Sequence, residues 1–235
     1  MKADIDLYET DPSHYDSLQM LRPDYAHAKA TLLELATKYF KDKKDIVLAD
    51  FCSGTGINTK MLAGRISVSK AILIDINRDF IEIAKQSNIN AVIEPVVSDI
   101  LNVHLRSSAD AVISMFAYHH VPNDRKADYI EKAKDVLKKD GLILLGEIYV
   151  PNKEVTLEYY KQLYNEIPKK SAELERFLMQ TANSGHFEYK VTKEFADRQL
   201  IEAGFELVES RKIWPTDNKF GVDVGTFVEV WKLLN

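Results

Sequence analysis

Only one cysteine, Cys52, occurs in 235 residues. That count rules out an internal disulfide and disfavours a cysteine-ligated zinc site. Basic residues are outnumbered, 31 Lys and Arg against 36 Asp and Glu, for a formal net charge of −5. No basic tail or arginine-rich arm offsets this balance, so bulk electrostatics disfavour nucleic acid as a partner. Met1–Asp6 lacks an apolar signal core, and no apolar run approaches membrane-span length. The expectation from both is a soluble, cytoplasmic protein. Internal repeats and low-complexity tracts are also missing. Hydrophobic residues are plentiful at 46%, enough for a full core and against disorder.

The chain is organised around Ile46–Gly56, a short apolar run that ends in Asp50 and then Cys52-Ser53-Gly54-Thr55-Gly56. The run is too short for an isolated helix and begins with β-branched residues, so it reads as a buried strand. A small-residue turn follows, then a helix from Asn58, which is a place where a ligand can approach the backbone. Further apolar strands are expected at 71–76, 91–97, 110–116 and 141–150, alternating with helices at 77–85 and 125–138. Gly141 is expected to cap the second of these helices. Ahead of the first strand, residues 1–20 read as a loop and a short helix, and an amphipathic helix follows to about Phe40. Residues 155–167 and 171–181 read as two helices rich in Tyr, Lys and Glu, with a turn at Asn183–His186. A helix at 192–203 and strands at 205–210 and 224–232 complete the chain, the two strands pairing antiparallel around a turn at 217–221.

Strands that are apolar throughout and alternate with helices predict a parallel sheet covered on both faces. Ligands in such sheets bind at the carboxyl ends of the strands. Asp50, Asp75, Asp99, Phe116–His120 and Glu147 all fall at or just beyond those ends.

With these segments in place, the chain resembles the class I S-adenosylmethionine-dependent methyltransferases, small-molecule type. Asp50-Phe51-Cys52-Ser53-Gly54-Thr55-Gly56 is similar to their first motif, and Asp75 to the acid that ends their second strand. Ser98-Asp99-Ile100 is similar to the acid after the third strand, and Met115–Pro122 to the segment after the fourth. Lys138–Leu144 and Glu202-Ala203-Gly204-Phe205 resemble the entries to the fifth and sixth strands. The likeness covers roughly residues 45–150 and 190–235. It departs from the family pattern at Cys52, where the first motif glycine stands, and at Asp140, where Pro-Gly is more usual. The implied fold is α/β: a Rossmann-like, doubly wound, seven-stranded sheet, mostly parallel with an antiparallel last strand, plus a helical cap. One domain overall is implied, with an N-terminal cover (1–44), a cofactor-binding core (45–150), a helical lid (151–190) and a C-terminal completion of the sheet (191–235).

The resemblance implies S-adenosylmethionine as cofactor and S-adenosylhomocysteine as product. The backbone at Gly54 and Gly56, with Cys52 as a small wall, would lie against the methionine part, and Asp50 near its amino end. Asp75 would accept both ribose hydroxyls, as suits a carboxylate's two oxygens. Asp99 would take the adenine amino group, with Ile76 and Ile100 packing on the ring. Phe116 or Tyr118 would face the sulfonium. By analogy with the family's N-terminal cover, Tyr25 and Arg22 would close on the cofactor, Arg22 pairing its carboxylate. Tyr15, Tyr118, Glu147 and Tyr149 are expected to line the acceptor pocket.

His119 and His120 are the candidate catalytic residues, because histidine titrates near neutrality and a protonated acceptor needs a base. Adjacent residues point different ways and no third ligand suggests itself, so no metal is expected. The expected reaction is in-line methyl transfer to an oxygen or nitrogen of a small molecule by a monomer or homodimer. An RNA or protein substrate, or a non-catalytic binding subunit, is the alternative. A damaged cofactor site would mark the binding subunit, yet Asp50, Asp75 and Asp99 are intact. A dehydrogenase is disfavoured because Thr59 holds the third glycine position of the dinucleotide fingerprint.

Overall fold

The computed structural model describes residues 12–183 and 188–234. The first eleven residues and Ser184–His186 of the expected turn lie outside that range. Seven strands form one sheet in the order β3-β2-β1-β4-β5-β7-β6. They are β1 (Ile46–Phe51), β2 (Val68–Asp75), β3 (Val92–Val97), β4 (Ala109–Met115), β5 (Leu137–Tyr149), β6 (Phe205–Trp214) and β7 (Gly225–Leu233). The first five run parallel, and β7 pairs antiparallel with both β5 and β6. Strand order reverses between β1 and β4, which opens a cleft at their carboxyl ends.

Period-two alternation splits the buried residues of β1 between the two faces of the sheet. Ile46 and Leu48 pack with Leu32, Leu35 and Phe40 of helix α2 (Pro23–Phe40), and with α3 (Ile57–Ala63) and α4 (Arg78–Gln86). Ala49 and Phe51 pack with Tyr129, Ile130 and Ala133 of α5 (Lys126–Val136) and with α8 (Lys193–Glu202). A third cluster joins α6 (Lys153–Glu166) and α7 (Ala172–Asn183) to Ile148, Val150 and Trp214, through Tyr159, Tyr160, Leu163 and Phe177. Helix α1 (Pro12–Met20) precedes α2. β3 is one edge of the sheet, and Pro95 is tolerated there because an edge strand leaves one row of amides unpaired.

Two strand boundaries, the start of β5 and the end of β6, differ from the expectation by four residues. α5 ends at Val136 and the chain is already extended at Leu137, so Gly141 does not cap it. Asp140 takes the left-handed conformation instead, with φ 59°, inside a bulge where Ala109 pairs with Leu137 and Ala111 with Leu142. Gly141 is needed for closeness: an added Cβ would lie 2.8 Å from the Lys138 carbonyl. β6 continues past Ser210 to Trp214. Arg211 and Lys212 can occupy a strand because their charged ends reach Glu34 and Glu209, and the 217–221 turn, respectively.

Candidate active site

At the end of β1, Cys52, Gly54 and Gly56 all adopt positive φ, at 54°, 53° and 72°. The two glycines serve different ends. A Cβ on Gly56 would press on Ala84 Cβ and Ile89 Cδ1, both at 3.2 Å, whereas one on Gly54 would meet nothing within 4 Å. Gly56 lets α3 start close to α4, and Gly54 presents open backbone to the cleft. Asp75 ties this turn to β2: its Oδ2 accepts the Gly54 amide and its Oδ1 the Asn77 amide, both at 2.8 Å. Each oxygen keeps a second lone pair for a ligand hydroxyl. Asp99 accepts the Leu101 amide at 2.9 Å; Ile76 is 48% exposed and Ile100 is buried.

Asp50 is buried and accepts the Thr59 hydroxyl at 2.6 Å. Burial pushes its carboxyl up to about 7 against the pull of that hydrogen bond, and the Asp75 charge adds to the rise. Burial likewise raises the Cys52 thiol, with the charges of Asp75, Asp50 and Asp99 adding to the effect. Cys52 is therefore a neutral wall, with no thiolate available as nucleophile. Ser53 Oγ and Asn58 Oδ1 are buried beside this turn without a hydrogen-bond partner. Unsatisfied polar atoms, open backbone at Gly54 and two acids at neighbouring strand ends fit a nucleoside ligand with an amino-acid tail.

The N-terminal helices roof this half. Thr55 donates to Asp16 of α1 at 2.6 Å. Tyr25 stacks on Phe116, centroids 5.2 Å apart, and Phe116 itself has φ 56°. Arg22 is buried and bonds Asp24 at 3.1 and 2.7 Å and Gln19 at 2.8 Å. Its guanidinium lies 5.8 Å from the ring centroids of both Phe116 and Tyr160. Three donors are used internally, and the remaining N–H groups sit beside the aromatic floor. Tyr15 accepts from Gln19 and packs on Phe80 of α4 and Phe177 of α7.

Beyond β4, Tyr118–His120 form a single 3-10 turn. His119 is buried, and its Nδ1 lies 2.5 Å from Glu147 Oε1, while its amide donates to Glu147 Oε2 at 3.0 Å. Glu147 also accepts the Ile148 amide at 2.6 Å. Burial drives the His119 pKa well below its ordinary value, so the ring is neutral. With the Nδ1 proton directed at Glu147, Nε2 carries the lone pair. Nε2 faces Glu188 Oε2 at 3.6 Å, and Glu188 is ion-paired with Lys190. Segment 188–191 is strapped in place by backbone bonds from Tyr189 to His119 and from Val150 to Val191. His120 rests edge-on against His119; burial raises the Asp75 carboxyl pKa against the pull of the Asn77 and Gly54 amides and of nearby His120.

The structure does not bring every expected residue together. Tyr118 turns into the core, against Tyr129 at 5.9 Å and under Lys126, whose Nζ lies 4.1 Å from its centroid. Lys126 is itself buried, donates to the Tyr118 carbonyl at 2.6 Å and is pushed down to about 8 by burial. Tyr149 is fully buried and spends its hydroxyl on Glu229 at 2.9 Å. Glu147 meets the pocket through His119. Glu188, Lys190 and Tyr160 are site residues that sequence reasoning missed; only the tyrosine- and lysine-rich composition of 151–190 hinted at them. The expectation that the histidine pair has no third ligand is also corrected: one ligand atom each from His119, His120 and Glu188 lies within 4.8 Å of the others.

A family model described as a methyltransferase domain matches residues 48–141, which hold the glycine turn, all three strand-end acids and the histidine pair. This match and the methyltransferase relatives support a class I S-adenosylmethionine-dependent methyltransferase. An uncharacterized methyltransferase of Oceanobacillus iheyensis is 26% identical over 153 residues, 64% of this chain and 69% of that protein. Among solved structures, a cyclopropane synthase of Mycobacterium tuberculosis superposes with TM-score 0.64 at 14% identity, covering 86% of this chain and 83% of its own. A 1,6-didemethyltoxoflavin-N1-methyltransferase of Burkholderia thailandensis, with 1,6-didemethyltoxoflavin and S-adenosylhomocysteine bound, gives 0.59 at 13% identity, over 96% and 92%. At such identities these structures establish the fold of this chain and nothing further. No helix among its described residues is long and apolar enough to cross a membrane.

Proposed function

We propose that this methyltransferase transfers a methyl group from S-adenosylmethionine to an oxygen or nitrogen of a small molecule, with His119 as general base. The observation that carries the reading is the 2.5 Å contact between His119 Nδ1 and Glu147. With Glu147 ionised, the ring proton sits on Nδ1 and a neutral Nε2 is left to take a proton from an incoming acceptor. Glu147 acts as the positioning residue. S-adenosylmethionine, when bound, supplies an electrophilic methyl on a positively charged sulfur.

Asp75 would hold the ribose, Asp99 with Ile76 and Ile100 the adenine, and the Gly54 turn with Ser53 and Asn58 the amino-acid tail. Phe116 and Tyr25 form an aromatic face suited to a sulfonium. The chain's main contribution is alignment of the acceptor with the methyl, worth up to about 7–11 kcal/mol in ideal cases. A small acceptor is supported by the net charge of −5, by the roof of α1, α2, α6 and α7 residues over the cleft, and by the toxoflavin-type neighbour's small-molecule substrate.

Calorimetry with S-adenosylhomocysteine tests the cofactor assignment. Asp75→Ala is expected to weaken binding by about tenfold or more, the cost of hydrogen bonds to a charged group. Equal affinity in the variant removes Asp75 from the ribose, and no binding by the wild type ends the reading.

A further inference from the structure

The acceptor side of the cleft has an imbalance of donors and acceptors. With an ionised Glu147 accepting the Nδ1 proton across the 2.5 Å contact, His119 Nε2 offers a lone pair. Opposite it, 3.6 Å away, stands the Glu188 carboxylate, a second acceptor. The gap is too long for a direct hydrogen bond. Both side chains are at least nine-tenths buried, His119 at 6% and Glu188 at 5% exposure. The Lys190 ammonium, ion-paired with that same Glu188 oxygen, offsets its charge, and the two acceptors still have lone pairs for a group that brings two protons.

Tyr160 of α6, beside Lys190, supplies a second observation. The Tyr160 hydroxyl is buried and lacks a partner, and the Lys190 ammonium lies 5.3 Å from its ring centroid. Tyr160 therefore has a hydrogen-bonding group to offer that the protein leaves unused.

We propose that the methyl acceptor is an amine, its N–H protons bridging His119 Nε2 and the Glu188 carboxylate from one side of the gap. This rests on His119 being the base of the methyltransferase. An alcohol or phenol carries one proton and satisfies one of the two acceptors. A carboxylate brings a third set of lone pairs and is repelled by Glu188. An ammonium group satisfies both and is attracted by charge. One N–H proton passes to Nε2, the freed nitrogen lone pair forms the bond to the methyl carbon, and the electron pair of the breaking C–S bond stays on sulfur. Lys190, paired with Glu188, keeps that carboxylate ionised; the Glu188 pKa is lowered despite its burial.

The test uses the protein saturated with S-adenosylhomocysteine and three probes of one shape: benzylamine, benzyl alcohol and benzoate. Affinities are read by calorimetry or ligand-observed NMR. Benzylamine is expected to bind about tenfold or more tightly than either other probe, a difference of about 1.4 kcal/mol. Glu188→Gln should remove that preference while leaving S-adenosylhomocysteine affinity unchanged, which also shows that the variant folds. Equal binding of benzyl alcohol or benzoate, no binding of any probe, or an unchanged preference in Glu188→Gln overturns the proposal. Stoichiometric Mn2+ or Zn2+ binding that displaces benzylamine and vanishes in His119→Ala overturns it in favour of a metal site. If S-adenosylhomocysteine itself fails to bind, the methyltransferase reading falls as well; if it binds but no amine preference appears, only the amine proposal falls.

Discussion

Asp50 and Glu147 are both buried acids at strand ends, and burial acts on them with different consequences. Asp50 has an ordinary carboxyl pKa when unfolded and about 7 when folded. The folded state therefore binds the extra proton, and stability falls as pH rises through that window. Asp50→Asn keeps the acceptor for Thr59 and removes the charge. Its melting temperature should exceed the wild type's by more at pH 8 than at pH 4, while S-adenosylhomocysteine binds more weakly. Thermal melts at the two pH values check this; a gain independent of pH contradicts it. For Glu147, the relevant quantity is the His119 tautomer. Glu147→Gln offers either an N–H or an oxygen to Nδ1 and loosens the lock, so kcat should fall by about 100-fold or more. With the anion gone, the imidazolium is less stable, and the acidic limb of the kcat/KM profile should move to lower pH. A fall in kcat with an unmoved limb would leave Glu147 a merely structural role. Asp50, Asp75 and Asp99 were legible in the sequence because each closes an apolar run. Glu188 and Lys190 were not, since a tertiary strap sets them against His119 and no local pattern marks them. Tyr118 and Tyr149 misled for the converse reason: they stand at strand ends, but one turns into the core and the other bonds Glu229.

At the scale of the element, the glycine turn separates packing from binding. Both Gly54 and Gly56 have positive φ, so alanine at either costs about 1–2 kcal/mol in backbone strain. Gly56→Ala adds the collision with Ala84 and Ile89 and should show the larger loss of melting temperature. Gly54→Ala, whose Cβ points into open space, should lose less stability but more S-adenosylhomocysteine affinity. The reverse ranking in melts and calorimetry contradicts the division. In α6, Tyr160→Phe removes a buried hydroxyl that has no partner. The unliganded protein should be no less stable for it, whereas benzylamine affinity should fall several-fold. A loss of stability would mean that the hydroxyl has a structural use. The element pattern itself was readable from hydrophobic periodicity, because strands buried on both faces are apolar throughout. The α5–β5 junction was not, because Asp140 takes a left-handed conformation that glycine ordinarily fills.

At the scale of the molecule, the sheet's reversal between β1 and β4 supplies one cleft with two chemistries. The β1, β2 and β3 ends offer acids and open backbone, and the β4 and β5 ends offer the His119–Glu147 pair. The cover of α1, α2, α6 and α7 closes over both through Thr55–Asp16, Tyr25–Phe116 and the 188–191 strap. Ligand binding to this folded arrangement alone should raise stability by mass action, by about 2.7 kcal/mol at one hundred times Kd. For a chain of this size that corresponds to a rise of roughly 5–10 °C with saturating S-adenosylhomocysteine. The most direct single measurement is long-range 1H–15N NMR of the histidine rings during a titration with S-adenosylhomocysteine at neutral pH. The account predicts a saturable change at His119, with Nδ1 protonated and Nε2 unprotonated throughout. A His119 ring indifferent to saturating ligand, or one protonated at Nε2, would contradict it.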